Sequence, residues 1–270
     1  MAAETKSGTV LDRIIEARRA AIAHRKKSVP ETALRFGVKH AKPVRDFAAA
    51  LTHDSLNVIS ELKKASPSRG LIRADFDPVA LAKGFEVAGA AALSVLTEEE
   101  YFQGDLKYMR DARAAVGLPV LRKDFIVDPW QVWETRATDA DSFLLIVAGL
   151  DDAVLGELLT LGRELGMEAL VEVHTREELL RALAAGARII GVNNRNLRTL
   201  EVRIETSMEL VEEIPEECTA VCESGLRTHE DLVRFRAAGF DAFLIGTHLM
   251  LSPDPAAALS ALLGAPPKKE

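Results

Sequence analysis

The chain has 270 residues, 48% hydrophobic and 28% charged, with a net charge of −7. That composition can bury a large core, while the acidic balance and an aromatic content of only 5% argue against nucleic acid, which selects basic faces and stacking platforms. MAAETKSGTV at the start has no apolar leader core and no uncharged run is long enough for a membrane span, so the expectation is a cytoplasmic protein with no membrane partner.

VLDRIIEARRAAIAHRKK, residues 10–27, places Val10, Ile14, Ala17 and Ala21 on one helical stripe, and VRDFAAAL after Pro43 reads as a second, short helix. These form a helical extension over residues 1–50. Strand-like runs then follow in order: NVISELKK, ALSVLT, PVLRKD, SFLLIV, EALVEV, RIIGVN, TAVCES and AFLIGT. Most are apolar on both faces, as parallel strands covered by helices must be. The segments between them carry helix punctuation. Asp77-Pro78 and Asp128-Pro129 put a capping residue before a first-turn proline. DDAVLGELLTLGRELG, TREELLRALAAG and THEDLVRFRAAG open on a capping Asp or Thr and close on glycine, and SPDPAAALSALLG ends the series.

Eight β-then-α units predict an α/β fold, a (β/α)8 barrel over residues 51–262, within one domain spanning 1–270. A doubly wound open sheet is the competing architecture, but it would carry a GxGxxG turn after the first strand, and none is present. The first few residues and the tail GAPPKKE are expected to be disordered.

Barrel enzymes react at the C-terminal ends of their strands, and polar residues gather at those ends here. Strand 1 ends with Glu61 and Lys63, which share a face because they are two apart, and Ser66 follows. Strand 3 ends with Lys123 and Asp124, strand 5 with Glu172, and strand 6 with Asn193, Asn194 and Arg195. Strand 7 closes on Glu223, Ser224 and Gly225, strand 8 on Gly246 and Thr247. Alternation points Asp124, Arg195 and Glu223 away from the axis, so Asp124 and Glu223 read as structural. Each remaining residue has a plain alternative. A lone lysine at a strand end can snorkel, and a lone glutamate can simply pair with it. Two lysines, two glutamates and an asparagine facing one mouth are harder to explain without a ligand, since burying such groups is costly. The Ser-Gly and Gly-Thr ends of strands 7 and 8 suit a phosphate held by backbone N–H groups and the short helix THLMLSPDP, although both glycines could be turn residues only.

Two cysteines, Cys218 and Cys222, have no metal-ligand companions and read as core thiols. His174 and His248 lie near the rim, but no ligand spacing joins them to Glu172, so no metal is expected.

SELKKASPSRG, PVLRKDFIVDPWQV, LLIVAGL, LVEVHT, GVNNRNLRTLEV, CESGL and LIGTHLM, in this order, resemble indole-3-glycerol-phosphate synthase of tryptophan biosynthesis, over residues 10–262. The resemblance implies cofactor-free conversion of 1-(2-carboxyphenylamino)-1-deoxyribulose 5-phosphate to indole-3-glycerol phosphate, with release of carbon dioxide and water. It implies Glu61, Lys63, Lys123, Glu172, Asn193 and Ser224 as catalytic residues. Phosphate contacts would come from Ser66, Gly225, Gly246 and Thr247, with Arg195 close to the ligand. Thr247 stands where the family commonly has serine, and it keeps the hydroxyl. Phe102 and Phe125 are candidates to flank the substrate ring, or are ordinary packing. The expected partner is the phosphorylated small molecule, and the chain reads as a monomer. Two rivals remain at this level: a barrel aldolase forming a Schiff base through Lys63 or Lys123, and a non-catalytic sensor of a phosphorylated metabolite.

Overall fold

Eight strands, all parallel, close on themselves: β1 (Asn57–Leu62), β2 (Ala92–Leu96), β3 (Val120–Lys123), β4 (Ser142–Ile146), β5 (Glu168–Val173), β6 (Ile189–Asn193), β7 (Thr219–Glu223) and β8 (Ala242–Ile245). The structure is a computed structural model and describes residues 8–196 and 199–265. The disorder expected of residues 1–7 and of the end of the tail therefore falls outside the described residues. β8 meets β1 with Asn57 beside Ala242 and Ile59 beside Leu244, which completes the ring. This is the (β/α)8 barrel, and all eight strand-like runs form its staves.

The strands are apolar on both faces because they separate two cores. Ile59, Leu121, Leu144, Leu170, Ile189 and Val221 point to the axis and form the inner core. Val58, Leu93, Val120, Phe143, Val171 and Ile190 point outward, under the helices. The parity of each strand is thus fixed by which of its neighbours joins the inner set, and that parity decides which rim residues enter the mouth.

The N-terminal helices run from one end of the barrel to the other. α1 (Val10–Ser28) opens with a capping box between Thr9 and Asp12. It lies by the mouth, where the buried Arg18 binds Asp124 at 2.5 Å and also pairs with Glu99. α2 (Glu31–Val38) had no clear signal in the sequence. It follows Pro30 without a side-chain cap, packs on the helix Pro129–Ala137, and stacks Arg35 over Trp133 at 4.1 Å. The helix read from VRDFAAAL shrinks to a single turn, α3 (Phe47–Ala50), because Asp46 caps it by accepting from Ala49 N–H at 2.9 Å. That turn plugs the bottom of the barrel, where Phe47 and Leu51 complete the inner core. Strand 1 ends at Leu62, and Ala65–Ser66 then pairs with Gly70–Leu71 in a small hairpin over the mouth that the sequence did not suggest. Among the described residues, no helix is long and apolar enough to cross a membrane.

Asp141, at the foot of β4, ties the lower end together. Its carboxylate receives Arg113 at 2.8 Å, the Arg45 backbone N–H at 2.8 Å and the Val120 N–H at 2.9 Å. Arg113 in turn donates to the Pro43 carbonyl at 2.8 Å, so one buried anion anchors the lead into α3. Removing one partner of such a buried pair leaves the other charge stranded. Asp141→Ala is therefore expected to destabilise the fold by about 3 kcal/mol or more, measured by urea unfolding. A change below about 1 kcal/mol would show that the lower end is held by the apolar plug alone.

Candidate active site

The parity of the barrel delivers polar residues to the mouth from several strands. Glu61 stands two beyond Ile59, Lys123 two beyond Leu121, and Glu172 two beyond Leu170; each of those apolar residues belongs to the inner core. Lys63 continues the inward face of β1, and its Nζ reaches Glu61 Oε2 at 2.5 Å. Lys123 Nζ donates to Glu172 Oε2 at 2.8 Å and to Glu223 Oε2 at 3.3 Å. Asn193 Nδ2 donates to Glu172 Oε1 at 3.0 Å, and its Oδ1 accepts the Arg195 backbone N–H at 3.0 Å. These groups line a cavity of about 420 Å³, a size that suits a small-molecule ligand.

Two expectations from alternation are corrected. Glu223 was read as structural and outward, but it lies two residues beyond Val221 of the inner core and its carboxylate reaches Lys123. The error is one of parity: TAVCES is apolar at both Val221 and Cys222, so the sequence did not reveal which faces the axis. Cys222 is the outward one, bound to Ser207 Oγ at 3.3 Å under the helices. Arg195 was also placed outward. It lies two beyond Asn193, lines the cavity, and is steadied by donating to the Leu200 carbonyl at 2.9 Å. Asp124 is structural as read. It is buried and takes Arg122 at 2.9 Å, Arg18 at 2.5 Å and the Thr97 hydroxyl at 2.6 Å.

Charge crowding sets the proton affinities here. Burial alone would lower the Lys123 pKa, but Glu172, Glu223 and Glu61 together outweigh it and hold the ammonium well above its usual range. Burial pushes the Glu172 carboxyl up, yet Lys123 and His174 overcome that and leave it well below the usual carboxylate range. Glu223 goes the other way. Burial and the neighbouring Glu172 charge exceed the pull of Lys123, and its pKa rises from 4.5 to about 7. One ammonium cannot hold both carboxylates ionised, and the better-placed one keeps the charge. His174, read from sequence as a mere rim residue, contacts Glu172 at 3.3 Å and Glu178 at 3.1 Å.

The loops fill in the rest. Ser224 and Gly225 both adopt left-handed backbone, at φ 66° and 95°, which is strained for the serine and turns the chain sharply at the top of β7. A Cβ on Gly225 would also press on Ile204 at 2.8 Å. Gly246 begins the short helix Thr247–Leu251. Its φ of −121° is not left-handed, and a Cβ there would overlap the Glu61 carboxylate, so the close approach of that side chain is what calls for glycine. Gly191 does the same for Glu223. Thr247 lines both the cavity and an adjoining cleft, in which Ser66 and Lys63 meet Leu11 and Ile14 of α1. Phe102 and Phe125 lie with ring centres 6.0 Å apart, and both line the cavity. Arg69 and Arg227 also line the cavity and carried no signal in the sequence beyond being basic loop residues. His248 lines the cavity as well, with its pKa lowered by burial and by Arg227.

A parallel barrel with coupled acids and bases at the carboxyl ends of its strands has the organisation of a barrel enzyme. The chain belongs to the indole-3-glycerol phosphate synthase family, whose model matches residues 11–262. The indole-3-glycerol phosphate synthase of Azospirillum brasilense is 49% identical over 258 residues, covering 94% of this chain and 98% of that protein. That of Laribacter hongkongensis is 47% identical over 258 residues, with the same two coverages of 94% and 98%. Among solved structures, the 3-hexulose-6-phosphate synthase of Salmonella typhimurium superposes with a TM-score of 0.62 at 11% identity, over 77% of this chain and 97% of that one, a likeness of fold alone.

Two expectations follow from this geometry. Gly246→Ala should fold normally but displace the Glu61 carboxylate, with turnover falling at least about tenfold, the scale of one lost charged hydrogen bond. The double variant with Glu61→Gln should be no worse than Glu61→Gln alone; additive losses would show that Gly246 acts independently of Glu61. The second concerns Glu223. A carboxyl raised in the folded chain stabilises it fully below the ordinary pKa of 4.5, and that contribution is lost as pH rises through about 7. Glu223→Gln should therefore flatten the decline of stability between those two pH values in urea titrations. Parallel curves for the variant and the parent chain would place the Glu223 pKa back in the ordinary range.

Proposed function

We propose that this chain, as an indole-3-glycerol-phosphate synthase, closes the indole ring with Lys123 as the acid and Glu172 as the base. The observation that carries this reading is the Lys123 ammonium, held at 2.8 Å from Glu172 and 3.3 Å from Glu223 in the centre of the mouth. The substrate is the carboxyphenylamino-deoxyribulose phosphate. Its aromatic carbon bearing the carboxylate attacks the ketose carbonyl, and a carbon–carbon bond forms as the carbonyl oxygen gains charge. Lys123 donates to that oxygen and gives up its proton, because an alkoxide is more basic than an amine. Carbon dioxide then leaves, and its bonding pair restores the aromatic ring.

Dehydration needs an acid for the departing hydroxyl and a base for a proton on the adjacent methylene carbon. Lys63, kept in place by Glu61 at 2.5 Å, supplies the acid. Glu172 supplies the base. Once Lys123 has lost its proton, the strongest cation beside Glu172 is gone and its proton affinity rises in time for this step. Glu172 then returns the proton to Lys123, and solvent recharges Lys63. Per turnover one proton is consumed, which balances the loss of carbon dioxide and water. A Schiff base is not required by this sequence, and a sensor would need the phosphate cradle but not the matched acids and bases.

The phosphate sits against Ser224-Gly225 and Gly246-Thr247, where chain turns and the first turn of a helix offer backbone N–H groups. Ser66 closes that side, and Arg195, with Arg69 and Arg227, supplies positive charge. Phe102 and Phe125 form the wall against which the substrate ring lies. The reading takes the chain as one domain over residues 1–270, acting as a monomer in the cytoplasm without a cofactor.

The test is the appearance of indole fluorescence when the purified chain meets the substrate. Lys123→Ala should remove turnover by about 10²- to 10⁴-fold, the usual contribution of a general acid, while substrate still binds. Glu172→Gln should do likewise. Near-normal turnover in either variant would overturn its assignment.

A further inference from the structure

We propose that His174 is a positioning residue that orients and charge-balances the Glu172 carboxylate, and is itself fixed from behind by Glu178. The inference rests on reading Glu172 as the base. It starts from how β5 gives way to the next helix. Thr175 caps the helix Arg176–Ala184 by accepting from the Glu178 N–H at 3.2 Å, and the Glu178 side chain folds back over the turn. There its Oε2 takes both the His174 backbone N–H at 2.7 Å and the ring Nδ1 at 3.1 Å. The ring is thereby held at both its backbone and its near nitrogen.

The far nitrogen points toward the Glu172 carboxylate. Nε2 lies 3.3 Å from Glu172 Oε1, is buried, and has no aligned hydrogen-bond partner, so this contact is an ion pair waiting on a small adjustment. The two Glu172 oxygens are divided between neighbours: Oε2 faces Lys123, and Oε1 is shared by Asn193 and His174. A neutral imidazole can donate from one nitrogen only. With Nδ1 donating to Glu178, a neutral ring would turn a lone pair toward a carboxylate oxygen. Only the imidazolium satisfies both carboxylates, and burial, which alone would lower its pKa, is outweighed by them to give a value of about 9. The charged groups acting on the ring are Glu172 from β5 and Glu178 from the following helix, with Lys123 of β3 and Glu223 of β7 beyond Glu172.

The ring matters most after ring closure. When Lys123 has given up its proton, His174 is the remaining cation in contact with Glu172, and it keeps the carboxylate aimed while the methylene proton is taken.

Three variants test this by kcat, KM and their pH dependence. His174→Gln should lower kcat about tenfold, as for one hydrogen bond to a charged group, with KM changed less than about twofold. The parent chain should lose kcat as pH rises through about 9, and His174→Gln should lack that limb. Glu178→Gln removes one of the two anions, so the same limb should move to lower pH. A purely packing role predicts lower melting temperatures with the limb unmoved. Full kcat in His174→Gln, or an unmoved limb in Glu178→Gln, overturns the proposal. Glu172→Gln separates the two levels: if it is inactive while His174→Gln is fully active, only the role of His174 fails; if it is active, the reading of Glu172 as base fails first.

Discussion

The mouth of this barrel is organised by one ammonium shared among too many carboxylates. Lys123 sits between Glu172 and Glu223, with Glu61 close enough to add to its field. Opposite charges this close hold each other ionised only as far as the count allows, and here the count is short by one. The outcome is a division of labour by environment. Glu172, with Lys123, Asn193 and His174 around it, stays an anion, whereas Glu223 rests near its midpoint at neutral pH. Two chemically identical side chains thus acquire different proton affinities without any difference in sequence around them that announces it.

The scaffold exists to keep that cluster from relaxing. A carboxylate can escape crowding by swinging into solvent, so each must be boxed in by backbone. Inner-core residues one step below each polar side chain set the floor, and α1 and the small hairpin cover part of the mouth. The Lys123 strand is stiffened from the outer side as well. Arg122, fully buried on the opposite face, joins Asp124 and Glu134, while Arg18 of α1 binds the same Asp124. The N-terminal extension is therefore connected to Lys123 through a chain of buried ion pairs one residue away from it.

Much of this was legible in the sequence. The eight staves announced themselves because a strand buried on both faces reads as a continuous apolar run, and the helices between them carried their own caps. Glu61, Lys63, Lys123, Glu172 and Asn193, which share one cavity, stand out in the sequence because rim polarity is conspicuous after such runs. What failed was parity. In β7 both Val221 and Cys222 are apolar, so nothing local distinguished axis from outside, and Glu223 was sent to the wrong face. His174 was passed over because its partners, Glu172 and Glu178, lie on a strand and on a helix, and only the turn at Thr175 brings them to either side of the ring. α2 escaped because its stabilisation comes from stacking on Trp133, a contact made 98 residues later in the chain than Arg35.

Gly191 and Gly246 lack side chains for the sake of their neighbours' side chains. Gly246 has a negative φ, and the space a Cβ would take is occupied by the Glu61 carboxylate. Gly191 yields its space to Glu223 in the same way. Each glycine is therefore coupled to a partner on an adjacent strand, across the β6–β7 and β8–β1 seams. A descendant barrel that exchanged Glu61 for a smaller side chain would be released at once from the need for glycine at 246, and a return to glutamate would then be blocked by whatever had moved in. The order in which such a pair of positions changes would become a one-way gate in the divergence of this mouth toward other chemistry.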